Sequence, residues 1–146
     1  MKIQVIKIGK PTTKQSKELV ELYFTRTRVF NAIESIEWKD LDVLERNAKN
    51  LIGPGNHLVV LDEQGKQWSS PDFSCQLQSW MDNPAIKCVS FLIGGPYGVD
   101  KEWRARANVL WSLSKATLPS DLAWVLTWEQ VYRAFTLLKG MPYHHG

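Results

Sequence analysis

The sequence predicts an α/β domain built on a mostly parallel sheet with helices on both faces. Three observations carry that prediction. Short β-like apolar runs alternate along the chain with stretches of helical spacing, the pattern of βα units. Two of those runs, Leu58-Val59-Val60-Leu61 and Cys88 to Ile93, are continuous rather than alternating, as in strands covered on both sides. No linker, internal repeat or low-complexity stretch divides the 146 residues, so 1–146 reads as a single domain long enough to bury a core.

Taken in order, Ile3, Val5, Ile6 and Ile8 make a first strand that ends at Gly9 and Pro11. Ser16 can cap the helix that follows, with Leu19, Leu22, Tyr23 and Arg26 at helical spacing. Ile33 and Ile36 lead a second strand to Trp38, and Asp40 caps a helix carrying Leu41, Leu44, Ala48 and Leu51 until Gly53-Pro54-Gly55 breaks it. After the Leu58–Leu61 strand, Asp62 to Gly65 turns the chain. Ser70-Pro71-Asp72 starts a helix whose apolar face is Phe73, Leu77 and Trp80 or Met81. Cys88 to Ile93 is the next strand, Asp100 caps a short helix through Ala107, and Val109 to Leu113 is the last strand. A loop over Ser114 to Ser120 precedes a long helix over Asp121 to Lys139, stopped by Gly140 and Pro142.

Composition narrows the function classes. With 44% hydrophobic and 23% charged residues the chain is globular, not disordered. A net charge of +3 and a pI near 8.9 are compatible with RNA, but any basic surface must come from placement rather than excess. Cys75 and Cys88 show no CxxC spacing and are expected to be buried, reduced thiols of a cytoplasmic protein. The N-terminus is too broken for a signal-peptide core, and no run approaches the ~18 apolar residues of a membrane span. GxSxG, HExxH, GxGxxG and Walker patterns are absent, which removes the support for hydrolase, metalloprotease and common nucleotide-binding readings.

Ligands of such folds sit beyond the carboxyl ends of the strands, so the loops after Leu61, Ile93 and Leu113 are the candidates. Gly94-Gly95-Pro96-Tyr97-Gly98 follows a buried strand. A plain turn and a loop that lets backbone approach a ligand both satisfy its spacing. Leu113-Ser114-Lys115-Ala116-Thr117-Leu118 is small and polar, suited either to an ordinary connection or to a ligand's amide and hydroxyl contacts. On the long helix Glu129 and Arg133 are four apart and can pair, as a solvated surface pair or as an interface or substrate-positioning pair. His144 and His145 lack an evident third ligand other than the distant His57, so no metal site is assigned. Most of the seven tryptophans are expected to be core or interface anchors.

Four segments taken together resemble the RlmH family of the SPOUT superfamily: Leu61-Asp62-Glu63-Gln64-Gly65-Lys66, Phe91 to Gly98, Trp111 to Pro119, and Glu129 to Ala134 with Pro142-Tyr143-His144-His145. Their order, their spacing and the overall length match as well. The resemblance implies a SPOUT fold with a C-terminal trefoil knot, a homodimer whose sites are completed across subunits, and S-adenosyl-L-methionine as cofactor. On matching positions it implies cofactor contacts from Leu61, Gly94, Gly95, Leu113, Ser114, Lys115, Ala116, Thr117 and Leu118. It further implies N3-methylation of a pseudouridine in 23S ribosomal RNA of the large subunit or assembled ribosome, with Tyr143 and His144 closing the site, His144 a candidate base, and Arg133 and Glu129 shaping it. Lys10, Lys14, Arg104 and Arg106 are candidates for docking RNA. Ser120 stands where the family usually has His, and Trp124 where it has Arg. A non-enzymatic RNA- or ribosome-binding domain of the same fold, and a SPOUT methyltransferase acting on transfer RNA, are the alternatives.

Overall fold

The computed structural model describes residues 1–146. Five parallel strands form one sheet: β1 (Lys2–Ile8), β2 (Ile33–Trp38), β3 (Asn56–Lys66), β4 (Cys88–Ile93) and β5 (Val109–Trp111), in the order β2-β1-β4-β3-β5. The helices are α1 (Lys14–Thr27), α2 (Leu41–Arg46), α3 (Ser70–Asp82), α4 (Lys101–Arg106) and α5 (Ser120–Leu138). The period-2 alternation of strand side chains splits the core in two. Ile3, Val5, Val59, Val89 and Phe91 meet Val20 of α1, Phe73 and Leu77 of α3 and Trp128 of α5 on one face. Ile6, Ile8, Leu58, Val60 and Leu92 meet Leu44 of α2 and Trp103 of α4 on the other. Five tryptophans, at positions 80, 103, 111, 124 and 128, are buried, as the anchor reading expects.

Local chemistry sets most element ends, with several departures from the sequence reading. The cap of α1 is Thr13, not Ser16: its hydroxyl accepts from the Ser16 amide at 3.2 Å. Asp40 and Asp100 cap α2 and α4 as expected, and Ser69, one residue ahead of the expected start, caps α3. The helix after Asp40 does not run to Leu51. It ends at Arg46, and a separate 3-10 turn spans Ala48–Asn50. β5 stops at Trp111 instead of Leu113. Asp62 to Gly65 is not a terminating turn. The strand bulges between Leu61 and Lys66, both in register with Trp111, and its pairing with β5 resumes at Lys66. Gly65 permits this, because a Cβ there would lie 2.5 Å from the carbonyl oxygen of Leu110. Cys75 is exposed and Cys88 half-buried, contrary to the buried-thiol expectation, and both are free.

Candidate active site

The carboxyl ends of β3 and β4, with the loop that leads into α5, enclose a cleft of about 770 Å³, within the size range of small-molecule and cofactor sites. Leu61, Gly94, Gly95, Thr117 and Leu118 line it. Leu61, Leu113, Ser114, Ala116 and Leu118 line a small pocket of about 50 Å³ that shares Leu61 and Leu118 with the cleft. Eight of the nine residues singled out in these loops therefore converge. Lys115 is exposed on the same loop and lines neither hollow.

The cleft wall is braced by contacts of three kinds. Gly98 donates its N–H to the Gly95 carbonyl at 2.9 Å and adopts φ +75°, closing a tight turn around Pro96 and Tyr97. A Cβ at Gly94 would fall 2.7 Å from the Gly98 carbonyl oxygen, so the loop's two limbs are in direct backbone contact. The Thr117 hydroxyl donates to Glu63 Oε2 at 2.7 Å, and Arg104 pairs with Asp62 at 2.6 Å, joining the bulged part of β3 to the walls on either side.

Asp121, on the cleft wall, belongs to a buried ion pair that the sequence reading missed. Lys7 Nζ is 3.4 Å from Asp121 Oδ1, and both side chains are almost wholly buried. Asp121 Oδ2 accepts from the Thr12 amide and hydroxyl, each at 2.7 Å, and from the Thr13 amide at 3.2 Å. Burial alone would raise the Asp121 pKa. The three hydrogen bonds and the Lys7 charge outweigh it and hold the carboxyl below the ordinary carboxylate range. The pair locks the start of α5 to the end of β1. A signal was present in the sequence, since alternation places Lys7 on the same face as Ile3 and Val5, where a cation needs a buried partner. Trp124, one turn on, is buried, and Lys7 Nζ lies over its ring at 5.9 Å from the centre.

The four residues of the C-terminal constellation also meet, but elsewhere. Glu129 Oε1 accepts from Arg133 Nε at 2.9 Å and from the Tyr143 hydroxyl at 3.1 Å. Arg133 Nη1 lies 2.9 Å from His144 Nδ1, and its guanidinium carbon sits 4.7 Å from the centre of the Tyr143 ring. Burial, a hydrogen bond with Tyr23 and the Glu129 charge push the Tyr143 phenol far above its ordinary pKa, so its hydroxyl stays protonated. Burial works against the Arg133 cation, but the hydrogen bond and charge of Glu129 overcome it and raise its pKa. None of these residues lines the cleft. Along α5, Glu129 and Arg133 stand about 12 and 18 Å from Asp121 at the helix rise. His57 belongs to neither cluster: it packs against Trp80 at 4.7 Å, and burial lowers its pKa.

Among the proposed RNA contacts, Arg104 and Arg106 are engaged, the latter with Glu45 at 3.2 Å and with Glu102. Exposed Lys14 lies 3.8 Å from Glu18, a pairing of little strength in water. Arg26, exposed and without an ion-pair partner, lies about 6 Å from the rings of Tyr23 and Tyr132, next to the C-terminal constellation.

Comparison with known proteins identifies the family. The family model described as predicted SPOUT methyltransferase matches residues 1–144. The chain is a SPOUT methyltransferase of the large-subunit methyltransferase H family. Ribosomal RNA large subunit methyltransferase H of Gloeobacter violaceus is 34% identical over 155 residues, covering 100% of both chains. That of Christiangramia forsetii is 39% identical over 157 residues, covering 99% of each. The fold is also similar to that of a probable methylase family protein from Haemophilus influenzae Rd KW20, with a TM-score of 0.60 at 7% identity over 99% of this chain and 70% of the other. At that identity the likeness is one of fold. In this SPOUT methyltransferase, as in open α/β sheets generally, the cleft lies beside the switch point where β4 returns between β1 and β3.

Proposed function

We propose that the chain is an S-adenosylmethionine-dependent methyltransferase that methylates N3 of a pseudouridine in 23S ribosomal RNA, acting in the cytoplasm on the large subunit or assembled ribosome. The observation that carries this reading is the convergence of the loops after β3, β4 and β5 on one cleft, in a chain whose full-length relatives bear the name ribosomal RNA large subunit methyltransferase H. The cleft suits the cofactor by volume and by chemistry. Leu61, Ile93, Leu118 and Ala123 offer apolar surface to an adenine, and the Gly94–Gly95 backbone lets a ligand come close. When bound, S-adenosylmethionine supplies a methyl group already activated by its sulfonium, which leaves the protein mainly to position the reactants. In this reading the segment after β5 closes a trefoil knot, and its loop forms one wall of the cleft.

The same reading makes the working unit a homodimer. The C-terminal constellation lies too far along α5 to reach its own cleft, and a partner's tail would supply it. Leu122 and Leu126 are 48% and 38% exposed on α5, on the stripe that continues to Glu129 and Arg133, and Leu19 and Leu22 of α1 are 43% and 41% exposed. Apolar residues at helical spacing beside the constellation are the surface such a dimer would bury. Lys10, Lys14 and Arg26 remain as cations for the phosphate backbone, whose contacts position RNA without specifying it.

Calorimetric titration with S-adenosylmethionine, followed by radiolabelled methyl transfer to unmethylated ribosomes and to transfer RNA, tests the proposal. Saturable binding with transfer to ribosomes supports it. Transfer to transfer RNA alone would reassign the substrate, and binding without transfer would leave an RNA-binding domain of this fold. Arg133→Ala should lower transfer by ~10²-fold, the cost of misplacing the groups it holds, while cofactor titration stays as in the native protein. Transfer unchanged by Arg133→Ala would remove the constellation from the reaction and with it the dimer argument.

A further inference from the structure

The contact between Arg133 and His144 decides where the imidazole carries its hydrogen. Arg133 Nη1 and His144 Nδ1 are 2.9 Å apart. A guanidinium has only hydrogens to offer and no lone pair to accept with. Arg133 must therefore be the donor and Nδ1 the acceptor, which puts the single ring proton of the neutral imidazole on Nε2. Arg133 cannot turn away cheaply. Glu129 Oε1 holds its Nε at 2.9 Å and its Nη2 at 2.6 Å, and the Tyr143 ring covers it. Tyr143 donates to the same Glu129 oxygen, so the carboxylate ties the tail to the helix. His144 is half-buried, and Nδ1 is the only one of its nitrogens that hydrogen-bonds within the chain.

We propose that Glu129 and Arg133 are positioning residues that fix His144 as its Nε2–H tautomer, and that His144 donates this hydrogen to a carbonyl oxygen of the target base instead of taking a proton from it. The inference rests on the function proposed above and names the role of a residue within it. A pyrimidine-type ring nitrogen such as N3 is flanked by two carbonyls. As its proton leaves, negative charge spreads onto those oxygens, and a fixed N–H donor aimed at one of them stabilises the charge as it develops. The step balances without a histidine base. The nitrogen–carbon bond forms, the sulfur–carbon bond breaks with its electron pair left on sulfur, and the displaced proton goes to solvent water.

The test reads the tautomer and the chemistry separately. Long-range proton–nitrogen correlation spectra of the protein labelled with ¹⁵N-histidine report which ring nitrogen is protonated, and the chain has only three histidines to assign. His144 should show the Nε2–H pattern in the native protein and a mixture in Arg133→Ala. In methyl transfer, His144→Ala should lose ~10²-fold, as for removal of an oxyanion donor, whereas His144→Gln, whose amide offers an N–H near the same place, should stay within about tenfold of native. A protonated Nδ1, or a tautomer indifferent to Arg133→Ala, overturns the inference. So does a His144→Gln protein that binds cofactor normally yet is as slow as His144→Ala, since loss of a general base would cost both variants ~10²–10⁴-fold. If the native protein methylates no RNA, the proposed function falls and the substrate contact with it, while the spectrum still decides the tautomer.

Discussion

Asp121→Ala should destabilise the protein by about 3–5 kcal/mol, the penalty for leaving one member of a buried ion pair without its partner. Lys7 would keep its charge in the core with only the Gly9 and Lys10 carbonyls, at 3.5 and 3.4 Å, as partners. The Thr12 and Thr13 amides would lose their acceptor. Urea unfolding measures the effect, and a change below about 1 kcal/mol would mean the pair is no stronger than a surface one. Replacing both members, Lys7→Met with Asp121→Leu, should be far milder than the single change, because no charge is then stranded. The pair also sets an acid limit. The unfolded chain protonates Asp121 at a pH of about 3.9, the folded chain at a lower one. Its stabilising contribution is therefore complete above about pH 4 and is lost as the pH falls through the lower, folded value. Asp121→Asn should flatten that limb of the stability curve.

Gly94→Ala should weaken S-adenosylmethionine binding by roughly tenfold to a hundredfold, the equivalent of the ~1–3 kcal/mol that overpacking typically costs. The added methyl group would meet backbone on the far limb of its own loop, at the Gly98 carbonyl carbon and oxygen and the Val99 nitrogen. Backbone cannot rotate aside as a side chain can, so the limbs must part and the cleft wall must shift. The sheet below is untouched, and circular dichroism should remain native. Calorimetric titration reads the outcome, and unchanged affinity would separate the loop from the cofactor site. Gly95 is a useful contrast, because a Cβ there comes no nearer than 3.5 Å to the Ile8 carbonyl oxygen.

The sheet was legible because its central strands advertise themselves. Cys88 to Ile93 is apolar throughout, except for Ser90, and is bounded by Lys87 and Gly94, and it forms β4 with those limits. Where a contact distant in sequence decides the outcome, local reading failed. Asp62 to Gly65 has turn composition, yet β3 runs on to pair with β5 again at Lys66 because Gly65 lets it close against Leu110 and Trp111. Ser16 has the chemistry of a cap, but Thr13 occupies that place and Ser16 is the residue it holds. Cys75 belongs to the solvent side of α3, whose buried positions are Phe73, Ser74, Leu77 and Trp80. The Glu129–Arg133 pair follows from helical spacing alone, whereas the return of the tail to place His144 on Arg133 is a tertiary event that no local pattern encodes. The loops proposed to hold the cofactor became legible only in combination, since each by itself also fits an ordinary connection.

The helix α5 begins in one cleft and carries the tail constellation near its other end. If each tail serves the neighbouring chain, damage in one half of the machinery does not compromise the other half on the same chain. A protein with the Gly94→Ala defect still owns a sound tail, and one with His144→Ala still owns a sound cleft. Mixed and allowed to exchange subunits, two such crippled preparations should repair each other. Random pairing in a two-fold dimer makes half the pairs hybrids, each with one intact site, so up to about a quarter of native activity should return.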